Sequence, residues 1–121
     1  MVVAARLRRS PDVVRVRTEG TGRSDRLLSL RALASDLGAI RLAVSAGRAV
    51  GGSVERNRAR RRLREAVRID LRSRATFQAH DLVLVARPAI LKASVDDLRG
   101  SVQRSLDQLS LGVAASRARH R

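Results

Sequence analysis

The sequence has no cysteine, no tryptophan and no tyrosine, and Phe77 is its single phenylalanine. Without cysteine there is no disulfide framework, no thiolate nucleophile and no Cys-based zinc site. Without rings to spare, recognition of RNA by stacking bases on an aromatic sheet is excluded. The two histidines, His80 and His120, stand far apart without ligand-type companions, so no protein metal site is expected. No apolar run approaches the roughly 18 residues of a membrane span. The N-terminus, Met1 to Ser10, puts its arginines after a short apolar stretch. A signal peptide has the opposite order, so no secretion and a cytoplasmic location are expected. Lysine is almost absent too: Lys92 is the only one among 26 cations, a bias that a GC-rich coding sequence also produces.

What is present is arginine. The 26 cations face only 11 acids, for a net charge of +15 across 121 residues. The excess is not confined to the ends, because 20 cations and all 11 acids remain between residues 11 and 112. Hydrophobic residues make up 44% of the chain, enough for a folded body rather than a disordered basic segment. The length fits one domain, with a core at about 10–111 and basic tails at 1–9 and 112–121. A folded body with this imbalance faces a polyanion. Arginine suits phosphate because its planar fork donates two hydrogen bonds at once.

Residues 1–9 read as a mobile basic arm. Ser10-Pro11-Asp12 is a helix start, with Ser10 as N-cap, Pro11 in the first turn and an acid behind it. The alternation of Val14 and Val16 with Arg15 and Arg17 is also compatible with a strand, but the start signal favours a short helix ending near Gly20. Residues 18–25 read as a loop. Residues 26–33 and 39–46 alternate as strands, with Leu28 and Leu30, then Ile40, Leu42 and Val44, on one face. Across the turn at 34–38 they are expected to pair antiparallel. Val54 to about Arg74 reads as a long helix capped by Ser53. Residues 81–88 read as a buried strand, with His80 in the loop before it. Ser94 and Asp97 resemble a capping box opening a last helix, along which Val95, Leu98, Val102, Leu106 and Leu109 recur. The fold class is therefore α+β: a small sandwich, a sheet with helices covering one face. Phe77 is read as a packing anchor.

Seven arginines lie between residues 56 and 68, against one acid. On a helical wheel, Ala59, Leu63, Ala66, Val67 and Leu71 gather on one side and should face the sheet. Asn57, Arg61, Arg64 and Arg68 form a stripe on the opposite side, with Arg58 and Arg62 as a second row. Arg56 and Arg60 fall nearer the apolar flank and must snorkel around it. Like charges at i, i+4 destabilise a helix, and a merely solvated face mixes signs. A ridge for phosphates is the better reading, with Asn57 available for a directed hydrogen bond.

The run Arg41-Leu-Ala-Val-Ser45, Gly51, then Val54-Glu-Arg56-Asn57-Arg58-Ala-Arg60-Arg61-Arg62-Leu-Arg64-Glu-Ala-Val resembles the bacterial ribonuclease P protein subunit family. The Arg-Asn-Arg motif at 56–58, with Arg60, Arg61 and Arg64 after it, is that family's signature. The similarity continues through His80-Asp81 to Arg87-Pro88 and into the last helix, over roughly residues 6–111. It implies a two-layer α/β sandwich like domain 2 of ribosomal protein S5, with the arginine helix in a βαβ crossover of unusual left hand. It also implies a function: the protein subunit of a ribonucleoprotein endonuclease that removes the 5′ leader of precursor tRNA.

In that family the catalytic RNA and its Mg²⁺ ions hydrolyse the bond, and the protein binds RNA and leader. The partners implied are the catalytic RNA and precursor tRNA, with no obligate protein partner and no membrane. The RNA-binding set carried over is Arg48, Arg56, Asn57, Arg58, Arg60, Arg61, Arg62, Arg64 and Arg68. A leader cleft would involve Val13, Arg17, Arg31 and Ser45. The family usually lines that cleft with aromatics, and here arginine planes or plain charge must replace stacking. Ahead of the helix, Arg48-Ala49 and Gly51-Gly52-Ser53 lack one cation and the asparagine that the family usually has. No catalytic residue and no protein-bound metal are expected. The competing readings are a non-processing ribosomal or ribonucleoprotein component and a DNA-compacting protein.

Overall fold

A computed structural model describes residues 2–119, with side chains described as far as residue 109. His120 and the last arginine of the sequence therefore lie outside the described residues. Strands β1 (Ala4–Arg6), β2 (Thr21–Ser24), β3 (Leu28–Ala34), β4 (Ile40–Ala46) and β5 (His80–Ala86) form one sheet in the order β1-β4-β5-β3-β2. Helices α1 (Ser10–Glu19), α2 (Ser53–Arg72) and α3 (Val95–Arg119) pack around it.

The alternation read in β3 and β4 is real. Leu28, Leu30 and Ala32, with Ile40 and Leu42, are buried on one face and meet Leu82, Leu84 and Ala86 there. Their pairing differs from the expected hairpin. β5 lies between them, antiparallel to β3 and parallel to β4. β5 is buried on both faces, as its near-continuous apolar run requires, and so takes the centre of the sheet. β4, α2 and β5 thus make a βαβ unit between neighbouring parallel strands.

The α2 stripe Ala59, Leu63, Ala66, Val67 and Leu71 is buried, and with Leu98, Val102 and Leu106 of α3 it covers that face of the sheet. Phe77 packs at its margin, under the Arg74 guanidinium at 5.6 Å. His80 is the first residue of β5 rather than a loop residue. It is buried, and its Nδ1 lies 2.9 Å from the Gln78 carbonyl oxygen.

Not all helices share one face. α1 lies on the other side of the sheet, where Val16 packs with Leu7 and Val83, joined by Val13, Leu33 and Ala43. Gly20 ends α1, and no larger residue fits: a Cβ there would sit 2.5 Å from the Val16 carbonyl oxygen and 2.6 Å from that of Ala32.

The loop expected at 18–25 contains β2, a short edge strand whose residues Thr21 to Ser24 pair with Ala32 to Ser29. The arm expected at 1–9 contains β1, which adds parallel to β4 and is fixed further by the Leu7 N–H donating to the Leu42 carbonyl at 2.9 Å. Both strands owe their conformation to backbone pairing, since neither has an apolar alternation of its own. The caps shift by one residue: Arg9 and Gly52, not Ser10 and Ser53, hold the N-cap positions, and neither makes a side-chain capping bond. Ser94 does cap α3, accepting the Asp97 N–H at 3.0 Å. Val95 is exposed rather than part of the α3 core stripe. α3 continues to Arg119, through most of the tail expected from residue 112.

Candidate nucleic-acid interface

The loop from β4 to α2 is tight because its backbone demands it. Gly51 has φ +142, and a Cβ there would meet the Glu55 Cβ at 2.9 Å. Val50 is buried and anchors the short 3-10 helix Arg48–Val50, which leaves Arg48 exposed at the entrance to α2.

From that entrance α2 runs about 30 Å with its apolar stripe on the sheet and its arginines outward. Asn57, Arg58 and Arg61 are exposed, while Arg56, Arg60, Arg64 and Arg68 are half-buried along the flanks. Arg60 donates a hydrogen bond to Asn57 Oδ1, so the one amide of the ridge is held by a neighbour. The Arg56 Nε is buried with no partner among the described residues.

Arg62 behaves differently from the rest. Its guanidinium turns inward and donates to the carbonyl oxygens of Ile90 and, at 2.6 Å, Ala93. The structure thus takes Arg62 out of the exposed second row and spends it on joining α2 to the segment before α3.

Among the described residues, ion pairs involve only Arg15, Arg41 and Arg74. Among these residues, no arginine of the 56–68 run has a carboxylate within ion-pair distance. Burial, and then the fields of Arg6, Arg68 and Arg60, push the Arg64 guanidinium below the ordinary arginine value. Arg6 belongs to β1, within the stretch whose composition alone predicts a mobile basic arm. Its proximity to the ridge had no sequence signal beyond its charge, because parallel pairing of β1 with β4 is non-local.

The second group of candidates lies on the opposite face, beside α1. Arg31 projects from β3 and donates through Nη2 to the carbonyl oxygens of Arg17 at 3.0 Å and Gly20 at 2.7 Å, capping the C-terminal end of α1. Arg41, from β4, donates to both Asp81 oxygens at 2.8 and 2.6 Å and reaches Asp12 of α1 at 3.3 Å. Its bond to Asp81 leads the interactions that hold its guanidinium above the usual value against the effect of burial. Two sheet arginines therefore clamp α1 at both ends.

Val13 packs into the cluster beneath α1, and Arg17 is exposed. Ser45 stands opposite Val85, which stands opposite Ser29, and all three are half-buried. This serine–valine–serine row lies on the α1 side of the sheet. Val13, Arg31 and Ser45 thus share one face, whereas the α2 ridge is on the other.

Among the described residues, no three His, Asp or Glu side chains gather as a metal site would require. Asp12 and Asp81 do converge, but on Arg41, so this pair does not fit a divalent cation.

Fold and site together define a small α/β protein that presents one uncompensated cationic helix. The sequence profile of the Ribonuclease P family matches residues 1–110. The ribonuclease P protein component of Chloroflexus aggregans is 38% identical over 109 residues, covering 89% of this chain and 79% of that one. That of Caulobacter vibrioides is 39% identical over 83 residues, covering 68% of this chain and 55% of its own. The fold matches the RNase P protein of Staphylococcus aureus with a TM-score of 0.72 at 19% identity, over 88% of this chain and 96% of that one. It matches the RNase P protein of Thermotoga maritima with a TM-score of 0.72 at 20% identity, over 85% and 96% of the two chains. The chain belongs to the ribonuclease P protein family.

Proposed function

We propose that this protein is the RNA-binding subunit of a tRNA-processing ribonucleoprotein. It would bind a catalytic RNA through α2 and assist endonucleolytic removal of the 5′ leader from precursor tRNA. One observation carries the reading: seven arginines lie along one helix, and among the described residues none of them is paired with a carboxylate. Such a ridge is unfavourable in isolation and favourable against closely spaced phosphates.

In this reading Arg48, Arg56, Arg58, Arg60, Arg61, Arg64 and Arg68 contact RNA phosphates, and Asn57 orients Arg60. Arg62 supports the helix from behind. The face with Val13, Arg17, Arg31 and Ser45 takes the single-stranded leader. Arg31 is held rigid by the α1 carbonyls, so its charge is offered at a fixed place. Hydrolysis belongs to the RNA, and Mg²⁺ is held there rather than by this chain. The place of action is the cytoplasm, where precursor tRNA is made.

Reconstitution tests this. The purified protein is mixed with a bacterial ribonuclease P RNA and a precursor tRNA at low Mg²⁺. Leader cleavage that the RNA alone cannot perform is expected. Arg61→Ala, which removes an exposed ridge cation, should weaken binding of the RNA subunit about tenfold, or about 1.4 kcal/mol, with an unchanged fold. No stimulation by a folded protein, with its cognate RNA active at high Mg²⁺, would refute the assignment.

A further inference from the structure

We propose that Arg6 of β1, together with Arg60, Arg64 and Arg68 of α2, forms a two-element clamp for a backbone phosphate of the RNA partner. The inference rests on the functional reading above and extends the interface to a strand outside the α2 ridge.

The register supplies the geometry. Arg6 stands opposite Leu42 in the parallel β1–β4 pair, and Ala4 stands opposite Ile40. Leu42 and Ile40 are buried in the α2-side core, and Ala4 packs against that same core. Side chains two apart on a strand share a face. Arg6 is therefore on the α2 side, while Leu7 is buried in the cluster of the opposite face. β1 is an edge strand with no neighbour beyond it, and Arg6 is exposed.

On α2, Arg60, Arg64 and Arg68 recur at i, i+4 and i+8, one row along a flank, and all three are half-buried. The charges of Arg6, Arg68 and Arg60 all bear on the Arg64 guanidinium. Among the described residues no carboxylate pairs with any of the four. Cations from two elements held together without an acid create a focused positive potential. Guanidinium forks approaching from two directions match a phosphodiester, which offers acceptor oxygens on separate sides. The three α2 arginines alone would present one side only. β1 thus converts a ridge into a cleft that fixes the RNA backbone against the edge of the sheet.

The test measures affinity for a bacterial ribonuclease P RNA across a range of NaCl. It compares the full-length protein with R6A, R6Q, R64A, R6A/R64A and R99A, the last removing an exposed α3 arginine as a charge control. R6Q keeps much of the side-chain stem. R6A and R6Q are expected to bind about tenfold more weakly and to lose only part of the roughly 0.7–0.9 of log–log salt slope that a whole phosphate contact carries, because Arg64 still faces the same phosphate. R99A should keep the wild-type slope. The double variant should lose less than the product of the single losses, because both arginines hold one phosphate. If R64A weakens binding while R6A and R6Q keep wild-type affinity and slope, the clamp is refuted and the ridge stands. If the wild-type protein does not bind the RNA, the functional reading fails and the clamp with it.

Discussion

At the scale of the residue, an arginine's role here is set by what its guanidinium finds. Arg41 finds two carboxylates and Arg31 finds two carbonyls, and both secure α1. Arg61 is exposed and finds no partner among the described residues; Arg62, its sequence neighbour, donates to the carbonyls of Ile90 and Ala93. The two should separate cleanly when replaced. Arg62→Ala removes the donor from two carbonyl groups and is expected to destabilise the fold by about 1–3 kcal/mol. Arg61→Ala, on the surface, should change stability by no more than about 0.5 kcal/mol. Urea denaturation followed by circular dichroism gives both values, and equal midpoints would show that the Arg62 contacts carry no weight. The angular position of Arg62 on the helix predicts the second outward row, and angular position cannot reveal a long side chain reaching back to another segment.

At the scale of the element, α2 is fixed by its apolar stripe. Leu63 is fully buried at the centre of that stripe. Leu63→Asp would put an unpaired charge there, at a cost comparable to the whole stability of a small domain, so the chain should not fold. A cooperative melt near the wild-type temperature would show the α2 face wrongly assigned. This helix was legible because five apolar positions recur at its period over a long, glycine-free run. Most of the candidate ridge was legible for the same reason. The edge strands were not. Thr21-Gly22-Arg23-Ser24 has no apolar alternation, and its extended form comes from pairing with β3. Nor could the neighbour of β3 be read locally: β3 and β4 each alternate as a hairpin partner should, yet the more apolar β5 takes the position between them. Arg6 joined the site only through such non-local pairing.

At the scale of the whole molecule, the net charge of +15 should make folding and the proposed RNA binding respond to salt in opposite directions. Folding confines the arginines, and among the described residues only Arg15, Arg41 and Arg74 are paired with carboxylates, so self-repulsion works against the compact state. Added salt shortens the screening length from about 30 Å at 0.01 M to about 10 Å at 0.1 M, which relieves that repulsion. The melting temperature should therefore rise by about 4 °C over this range, corresponding to roughly 1 kcal/mol for a domain of this size. Sulfate at equal ionic strength should raise it further, because an anion that binds only the folded ridge stabilises by mass action. RNA affinity should fall over the same range, with a log–log slope of about −0.7 to −0.9 for each phosphate contacted. Thermal melts and filter-binding titrations in matched buffers measure the two responses. A melting temperature that stays flat or falls with salt would mean that the arginines are already compensated within the fold, and the ridge would lose its electrostatic reason to bind RNA.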